Sequence, residues 1–313
     1  MPSYPPAAPT LSNNVLTASR LLNNPPLVAR RIRELIDLRY VGAQLLRGRE
    51  SAEGGAITFE QAEGIFADAA LEVVGPGGDY TLTTAQAGPA GLAKVAKYGK
   101  DSLITDEAVK RSNRAALHGT PVDRTLLKLA NSAAAFVDQA IISTIASAVS
   151  QSQAAAAKWT LAATESILLD IQLAVAKITG QNQGYVPDTL LVDDTVWAWL
   201  SANKALAALM ARETTNNTVY TGRFSNLASL DIVHVPAANL PGGSNTTAWV
   251  LDSSMLGFIA TEDLADGYQS AGEIVEVKTW RVDENDAWRV RARANFVPVV
   301  TEPAAACKIT TVN

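Results

Sequence analysis

Residues 94–112 read KVAKYGKDSLITDEAVKRS, and residues 120–150 read TPVDRTLLKLANSAAAFVDQAIISTIASAVS. In the first stretch, charges alternate with Val95, Tyr98, Leu103, Ile104 and Val109, the pattern of a charged connector. The second opens as a helix. Thr120 stands at the N-cap, Pro121 at the first helical position and Asp123 near the positive end of the dipole. Leu126, Leu129, Ala133, Phe136, Val137, Ile141, Ile145 and Val149 then recur at helical spacing. About thirty such residues, at about 1.5 Å each, span about 45 Å. The stripe drifts and lacks flanking charges, so it is a poor coiled-coil seam. The uncharged run 139–157 has the length of a membrane span. Ser143, Thr144, Ser147, Ser150, Gln151, Ser152 and Gln153 make it too polar to prefer lipid.

On the N-terminal side lies a weak segment. AITFEQ and DYTLTT have strand character and flank the turn residues of VGPGGD, which predicts a long hairpin-like loop over 50–93. Its large apolar residues are few: Ile57, Phe59, Ile65, Phe66, Leu71, Val73, Val74 and Leu82. Ordering about forty residues costs about 1–2 kcal/mol each for the backbone alone, and an isolated two-stranded ribbon is marginal in water. The loop therefore needs a partner surface, expected on another subunit. The plainer alternative is a mobile surface loop.

Before it, Pro2, Pro5, Pro6 and Pro9 make an extended arm. PPLVARRIRELIDLRY then repeats Leu27, Val28, Ile32, Leu35 and Ile36 at helical spacing, with Arg30, Arg31 and Arg33 elsewhere on its circumference. Residues 1–50 carry a net charge of +4 and no lysine. Residues 51–93 carry −6 and no basic residue, and the remainder nets −3. Such asymmetry marks candidate interaction surfaces, although two solvated faces would read the same way. Candidate inter-subunit contacts are Arg30, Arg31, Arg33, Ile57, Phe59, Glu60, Glu63, Phe66 and Tyr80.

After the long helix comes an Ala- and Gln-rich joint over 151–163. A second helix begins near Thr164-Glu165-Ser166 and stops at Gly180. Thr189–Val192 reads as a buried strand, and Asp193 or Asp194 caps the short helix TVWAWLSAN. Strands are predicted at Ile232–Val235, Trp249–Leu251 and Gly257–Ala260. A long hairpin then joins EIVEVKTWRV to AWRVRARANFVPVV. In its second strand Trp288, Val290, Ala292, Ala294 and Phe296 face one way; Arg289, Arg291 and Arg293 face the other. ACKITTV forms a last strand.

Composition narrows the function. Apolar residues make up 48% of the chain and charged residues only 18%, below the usual quarter, which suits a subunit covered by neighbours. The net charge of −5 argues against broad coating of DNA by a basic face. Cys307 is the only cysteine, so there is no intrachain disulfide or thiolate metal cluster. The start lacks the pattern of a signal peptide, which leaves the acceptor-like triplets at Asn216 and Asn245 without meaning. His118 and His234 form no evident catalytic constellation. Gly91, Gly99 and Lys100 have the wrong spacing for a phosphate loop. Asp283, Glu284 and Asp286 lack calcium-loop spacing and read as a hairpin turn. No catalytic, cofactor or metal site is assigned, and the expected class is structural rather than enzymatic.

The order of these pieces resembles the major capsid protein of tailed bacteriophages, with the Hong Kong 97-type α+β fold. KVAKYGKDSLITDEAVKRS before the long helix, TLLVDDTVWAWLSAN in the middle and WVLDSSMLGFIATEDL before the terminal hairpin carry the likeness, which covers nearly the whole chain. It implies an N-arm at 1–49, an E-loop at 50–100 lying on a neighbour, and a peripheral domain with its spine helix at 101–158. An axial domain at 159–265 follows, then peripheral strands at 266–300 and a last axial strand at 301–313. The implied product is an icosahedral shell of pentamers and hexamers enclosing double-stranded DNA without sequence-specific binding. It is a virion component assembled in the host cytoplasm, with no membrane and no cofactor. Separate scaffolding, portal and decoration proteins are the candidate partners, scaffolding because only some fifty residues precede the E-loop. Residues 51–93 contain no lysine, so the family's E-loop isopeptide crosslink is not expected, although Lys94 and Lys97 lie near the loop base. An encapsulin-like compartment shares this expectation of fold. A soluble α+β enzyme using Asp193 or Asp194 is the alternative of a different class.

Overall fold

The computed structural model describes residues 21–37, 41–61, 64–66, 72–80, 82, 88–112, 120–160, 166–209, 226–237, 240, 247–264 and 267–313. In chain order its elements begin with helices α1 (Pro25–Asp37) and α2 (Gly42–Leu45) and strands β1 (Gly48–Ser51), β2 (Ala56–Glu60), β3 (Ala90–Lys94) and β4 (Ala96–Thr105). Helices α3 (Asp106–Ser112) and α4 (Pro121–Ala148), strand β5 (Ser152–Ala154) and helix α5 (Ile167–Thr179) come next. Then follow β6 (Thr189–Asp193), α6 (Asp194–Ala202), α7 (Lys204–Leu209), β7 (Asn226–Leu227), β8 (Leu230–Val235), β9 (Thr247–Leu251) and β10 (Gly257–Thr261). The chain closes with β11 (Gln269–Ser270), β12 (Val275–Val282), β13 (Ala287–Val300) and β14 (Ala306–Thr310). It divides into two compact units: residues 1–40, 96–137 and 261–296, and residues 41–95, 138–260 and 297–313.

In the first unit the strands run β4-β13-β12-β11, all antiparallel. β4 pairs along its full length with β13, from Thr105 opposite Ala287 to Ala96 opposite Phe296. The predicted alternation of β13 is real: Val290, Ala292, Ala294 and Phe296 are buried. It breaks at Arg293, which is 2% exposed. Its guanidinium donates from Nε to Glu276 (2.7 Å) and lies over the Tyr268 ring at 3.5 Å, so a charge on the polar face is paired inside the protein. Helix α1 packs on β12 and buries Val28, Ala29 and Ile32.

Helix α4 starts as its sequence predicts, with the Asp123 N–H donating to Thr120 Oγ1 at 3.3 Å. It is long and apolar enough by composition to cross a membrane. Its Val122, Leu126, Leu129, Ala130, Val137, Ile141, Ile142 and Ile145 are buried in the protein, as in a core helix.

The second unit is built on a mixed sheet ordered β5-β14-β9-β6-β8-β7. β6 runs parallel to β8 and antiparallel to β9. All five residues of β6 are buried. Asp193 ends the strand and caps α6, accepting from the Val196 N–H at 2.6 Å. Burial of this carboxyl raises its pKa above the ordinary value. Ser166, by contrast, makes no side-chain cap to α5, and Gly180 ends that helix at φ −65°, without the left-handed turn glycine usually supplies there. Trp159 fixes the joint: its Nε1 donates to Asp170 Oδ2 at 2.9 Å, and the Ala156 N–H donates to Oδ1 at 3.0 Å.

Two expectations need correction. The joint over 151–163 contains β5, which pairs parallel to β14. Among the described residues AITFE pairs not with DYTLTT but with strand 90–94 (AGLAK), Ala56 opposite Lys94 and Glu60 opposite Ala90. Phe59 stands opposite Gly91 and its ring covers that glycine, where a Cβ would come within 2.5 Å of Cζ.

Candidate assembly surfaces

The hairpin over 51–93 has an anchored stem and, among its described residues further out, side chains left uncovered. Ile57, Phe59, Ala93, Val95 and Val297 pack on a cluster of Ala52, Phe258, Ala260 and Val299, all within the second unit. The Gln61 N–H donates to Pro89 O at 3.2 Å, just beyond the stem. Further out, Phe66 is 61% exposed, Tyr80 82%, Leu82 95%, and Val73 fully. The Ile65 N–H donates to Gln183 Oε1 at 2.9 Å, yet the Ile65 side chain stays in solvent. Asp79, Tyr80 and Leu82 belong to no strand. Of the contact candidates read from sequence, Ile57 and Phe59 are thus engaged within their own subunit. Glu60, Phe66 and Tyr80 are exposed, and Glu63 lies outside the described residues.

The arginines of α1 divide in the same way. Arg31 is about three-quarters covered and donates to Asp123 Oδ1 at 3.1 Å, with Glu34 at 3.6 Å. Arg30 is 76% exposed and meets the half-exposed Glu34, at 3.4 Å. Arg33 is exposed.

The outer side of the first unit's sheet is a network of cations, carboxylates and rings. Arg291 donates from Nε and Nη2 to the two oxygens of Asp101 (2.6 and 2.8 Å) and lies 5.1 Å from the Trp280 ring centre. Hydrogen bonding to Arg291 is the main reason the Asp101 carboxyl is held below the ordinary range. Arg281 makes the same two-pronged contact with Asp106 (3.0 and 2.9 Å), and also reaches Asp283 at 2.7 Å. These pairs tie β4 and the start of α3 to the terminal hairpin. Under the sheet, Tyr98 lies 4.5 Å from the Phe136 ring, beside a hollow of about 300 Å³ walled by β4, β13 and α4. Among the described residues no strand pairs with the second edge of β4. Lys97 and Lys100 on that strand are exposed and form no ion pair among the described residues.

Features unmarked in the sequence also emerge. Asp138, on α4, is 2% exposed. Leu169 and Leu173 face solvent from α5; a helix with apolar residues at nearly every position leaves some outside whichever face it buries. Among the described residues no group of three or more histidines, cysteines or acids could hold a metal. Asp283 is taken by Arg281, His234 stacks on the Trp197 ring at 6.0 Å, and Cys307 is buried. His118 lies outside the described residues.

A sequence model of phage capsid proteins matches residues 89–309. No curated protein sequence matches the chain. Among solved structures, the capsid of cyanophage P-SCSP1u superposes with a TM-score of 0.62 at 14% identity, over 97% of this chain and 92% of that one. A Mycobacterium phage Che8 chain gives 0.55 at 14% identity, over 88% and 92%. A virus-like particle from Pyrococcus furiosus gives 0.57 at 10% identity, over 90% and 97%. At these identities the likeness is one of fold, the Hong Kong 97-type capsid fold.

Proposed function

The chain belongs to the phage capsid protein family, and from that premise we propose that its copies close into an icosahedral shell around double-stranded DNA. Pentamers and hexamers are the building blocks. Residues 1–49 act as the N-arm, 50–100 as the E-loop, 101–158 and 266–300 as the peripheral domain, and 159–265 with 301–313 as the axial domain. The role is structural, within the virion, and no catalysis is assigned. Scaffolding, portal and decoration proteins are the further partners, with assembly in the host cytoplasm.

The observation that carries this reading is the hairpin. Its stem is packed, while Phe66, Val73, Tyr80 and Leu82 stand in water. Covering each on a neighbour is worth about 1.5–3 kcal/mol, and contacts too weak alone add up when each copy touches several others. The acidity of the hairpin and the net charge of −5 suit a wall that holds DNA without gripping it. The fold shared with the Pyrococcus furiosus particle supports one second reading, a compartment around protein cargo.

Electron microscopy of the purified chain tests the shell, and nucleic-acid analysis of particles recovered from phage-producing cells tests the contents. Closed particles containing DNA are expected. Small oligomers at every concentration would defeat the shell, and particles filled with protein would favour the second reading.

A further inference from the structure

The hollow of about 300 Å³ beside Phe136 stands at the lower end of the range in which proteins hold small ligands. Leu129, Ala133, Val137, Ala292 and Ala294 make its walls apolar. The rings of Tyr98 and Phe136 lie 4.5 Å apart beside it, each 40% exposed, and Phe296 backs Tyr98 at 5.8 Å. Its polar groups are poor at receiving N–H donors. Lys100 lines it with an ammonium that only donates, and Ser132 already spends its own hydroxyl proton on the Lys128 carbonyl at 2.8 Å. The hollow therefore favours an uncharged guest that brings carbonyls and few N–H groups.

The chain supplies such a segment before its described residues begin. Residues 1–19 hold no charged side chain, and SYPPAAP (3–9) places three prolines within five positions. Pro5, Pro6 and Pro9 have no N–H to leave unpaired, and their fixed φ keeps the segment extended, so docking it costs little conformational entropy. Pro2 with Pro5, and Pro6 with Pro9, have the spacing at which proline-rich segments seat their rings between aromatic side chains.

Reach permits the contact within one chain. The chain enters the first unit at the buried Leu21 and Leu22, and α1 is tied to the start of α4 by the Arg31–Asp123 pair. From Leu21 along α1, across that pair and along α4 to Phe136 is at most about 45 Å, at about 1.5 Å per helical residue. The chain from Leu21 back to Pro5, extended at about 3.1–3.3 Å per residue, covers about 50 Å.

We propose that the proline-rich segment 2–9 docks in its own subunit's hollow, its proline rings against Tyr98 and Phe136. This concerns the unassembled subunit and holds whether or not copies close into shells. The same segment of a second copy is the competing occupant. The tether favours the chain's own, because it holds the segment at an effective concentration of about millimolar even when the protein is dilute. The docked segment shields an aromatic hollow that would otherwise invite unspecific association.

Hydroxyl-radical footprinting of the unassembled full chain, read by mass spectrometry, tests this. Deleting residues 2–9, or changing Pro5→Ser, Pro6→Ser and Pro9→Ser together, should raise oxidation of Tyr98 and Phe136 several-fold. The protection in the parent chain should persist through a tenfold dilution. Equal oxidation in the parent and the deleted chain overturns the proposal. Full protection in the triple serine variant overturns its basis in proline, and protection that fades on dilution assigns the cover to another copy and overturns docking within the chain.

A crosslink gives a second readout. Ala7→Cys and Ser132→Cys are introduced together and a short bifunctional thiol reagent is added to the dilute subunit; native Cys307 is fully buried, so its background is low. A link within one chain is expected, and Phe136→Ser in the same variant should cut its yield several-fold. A yield indifferent to Phe136→Ser means chance collision of a tethered segment and counts against the docking. So does a link that joins two chains.

Discussion

Asp138 and Gly42 are joined by a 2.6 Å hydrogen bond, the Gly42 N–H donating to Asp138 Oδ1 in a site where the carboxyl is almost fully buried. The Val41 N–H donates to the same oxygen at 3.2 Å. The chain thus passes against α4 with two backbone donors gathered on one acid, and no cation stands beside it among the described residues. A Cβ on Gly42 would come within 2.7 Å of Ile141 Cδ1 and 2.9 Å of the carboxylate, so only glycine fits without movement.

Burial pushes the Asp138 carboxyl up to about 6 from the ordinary 3.8, while the two amide donors act the other way. Between these values the folded chain keeps a proton that the unfolded chain has released. The stability contributed by this group is therefore present in full below about pH 4 and is lost as the pH climbs through about 6. Asp138→Asn keeps an oxygen for the two N–H groups and carries no charge. We expect its stability in denaturant titrations of the unassembled subunit to be flatter across this window and higher at neutral pH, by up to on the order of 3 kcal/mol. An unchanged slope in the variant would place the titration elsewhere. Gly42→Ala should cost about 1–3 kcal/mol at any pH, through crowding.

Trp159 and Asp170 test the second unit's joint. Both are buried, and the indole N–H is one of two donors satisfying the carboxylate. Trp159→Phe keeps most of the ring but removes that donor, leaving a buried acceptor short of a partner at a cost of about 1–3 kcal/mol. Thermal unfolding should show the loss, and Trp159→Phe with Asp170→Asn should recover part of it. Additive losses would mean that the bond contributes nothing.

These two sites mark what the sequence could and could not announce. Elements set by local chemistry were legible: α4 from Thr120, Pro121 and Asp123, the buried run of β6 with its cap at Asp193, and the terminal hairpin from the alternation in β13. The order of those elements carried the family likeness. What stayed hidden depends on partners distant in sequence. Strand 90–94 has no β-branched signature; its place in the stem shows only in its pairing with Ala56–Glu60, where Gly91 lies under Phe59. Arg293 looks like its exposed neighbours until Glu276 and Tyr268 enclose it. Asp138 reads as one polar residue on a helix until Gly42 arrives across nearly a hundred residues. Ile57 and Phe59 have the composition of an outward patch, and only the structure shows that they pack, half-buried, in the stem.

The arginines of α1 should separate into two classes. Arg31 is engaged by Asp123 in a partly buried pair, so Arg31→Glu sets two acids against each other and should destabilise the subunit by about 1–3 kcal/mol. Arg30 is exposed, and its pair with Glu34 is worth little in water. Arg30→Glu should leave unfolding unchanged and act on assembly alone, more at low salt than at high. Light scattering during assembly, beside melting of the unassembled subunit, distinguishes the two. An assembly rate indifferent to Arg30→Glu at all ionic strengths would remove α1 from the inter-subunit charge pairing.

The hairpin offers the plainest contrast between folding and assembly. Phe66 and Tyr80 contribute little burial to their own subunit, being 61% and 82% exposed, whereas Phe59 is packed into the stem. Phe66→Ser and Tyr80→Ser should then leave melting of the unassembled subunit within about 0.5 kcal/mol of the parent. If a neighbour covers these rings, each change should still remove about 1.5–3 kcal/mol per contact and raise the concentration needed for assembly about tenfold or more. Phe59→Ser should do the reverse in part, loosening the stem on Ala52, Phe258 and Val299 and lowering subunit stability before assembly begins. The decisive comparison is the ratio of the two effects in each variant, read from melting and from the critical concentration. If Phe66→Ser and Tyr80→Ser leave the critical concentration at the parent value, those rings face solvent in the particle as well, and the hairpin's grip on its neighbour must lie in its backbone and charge.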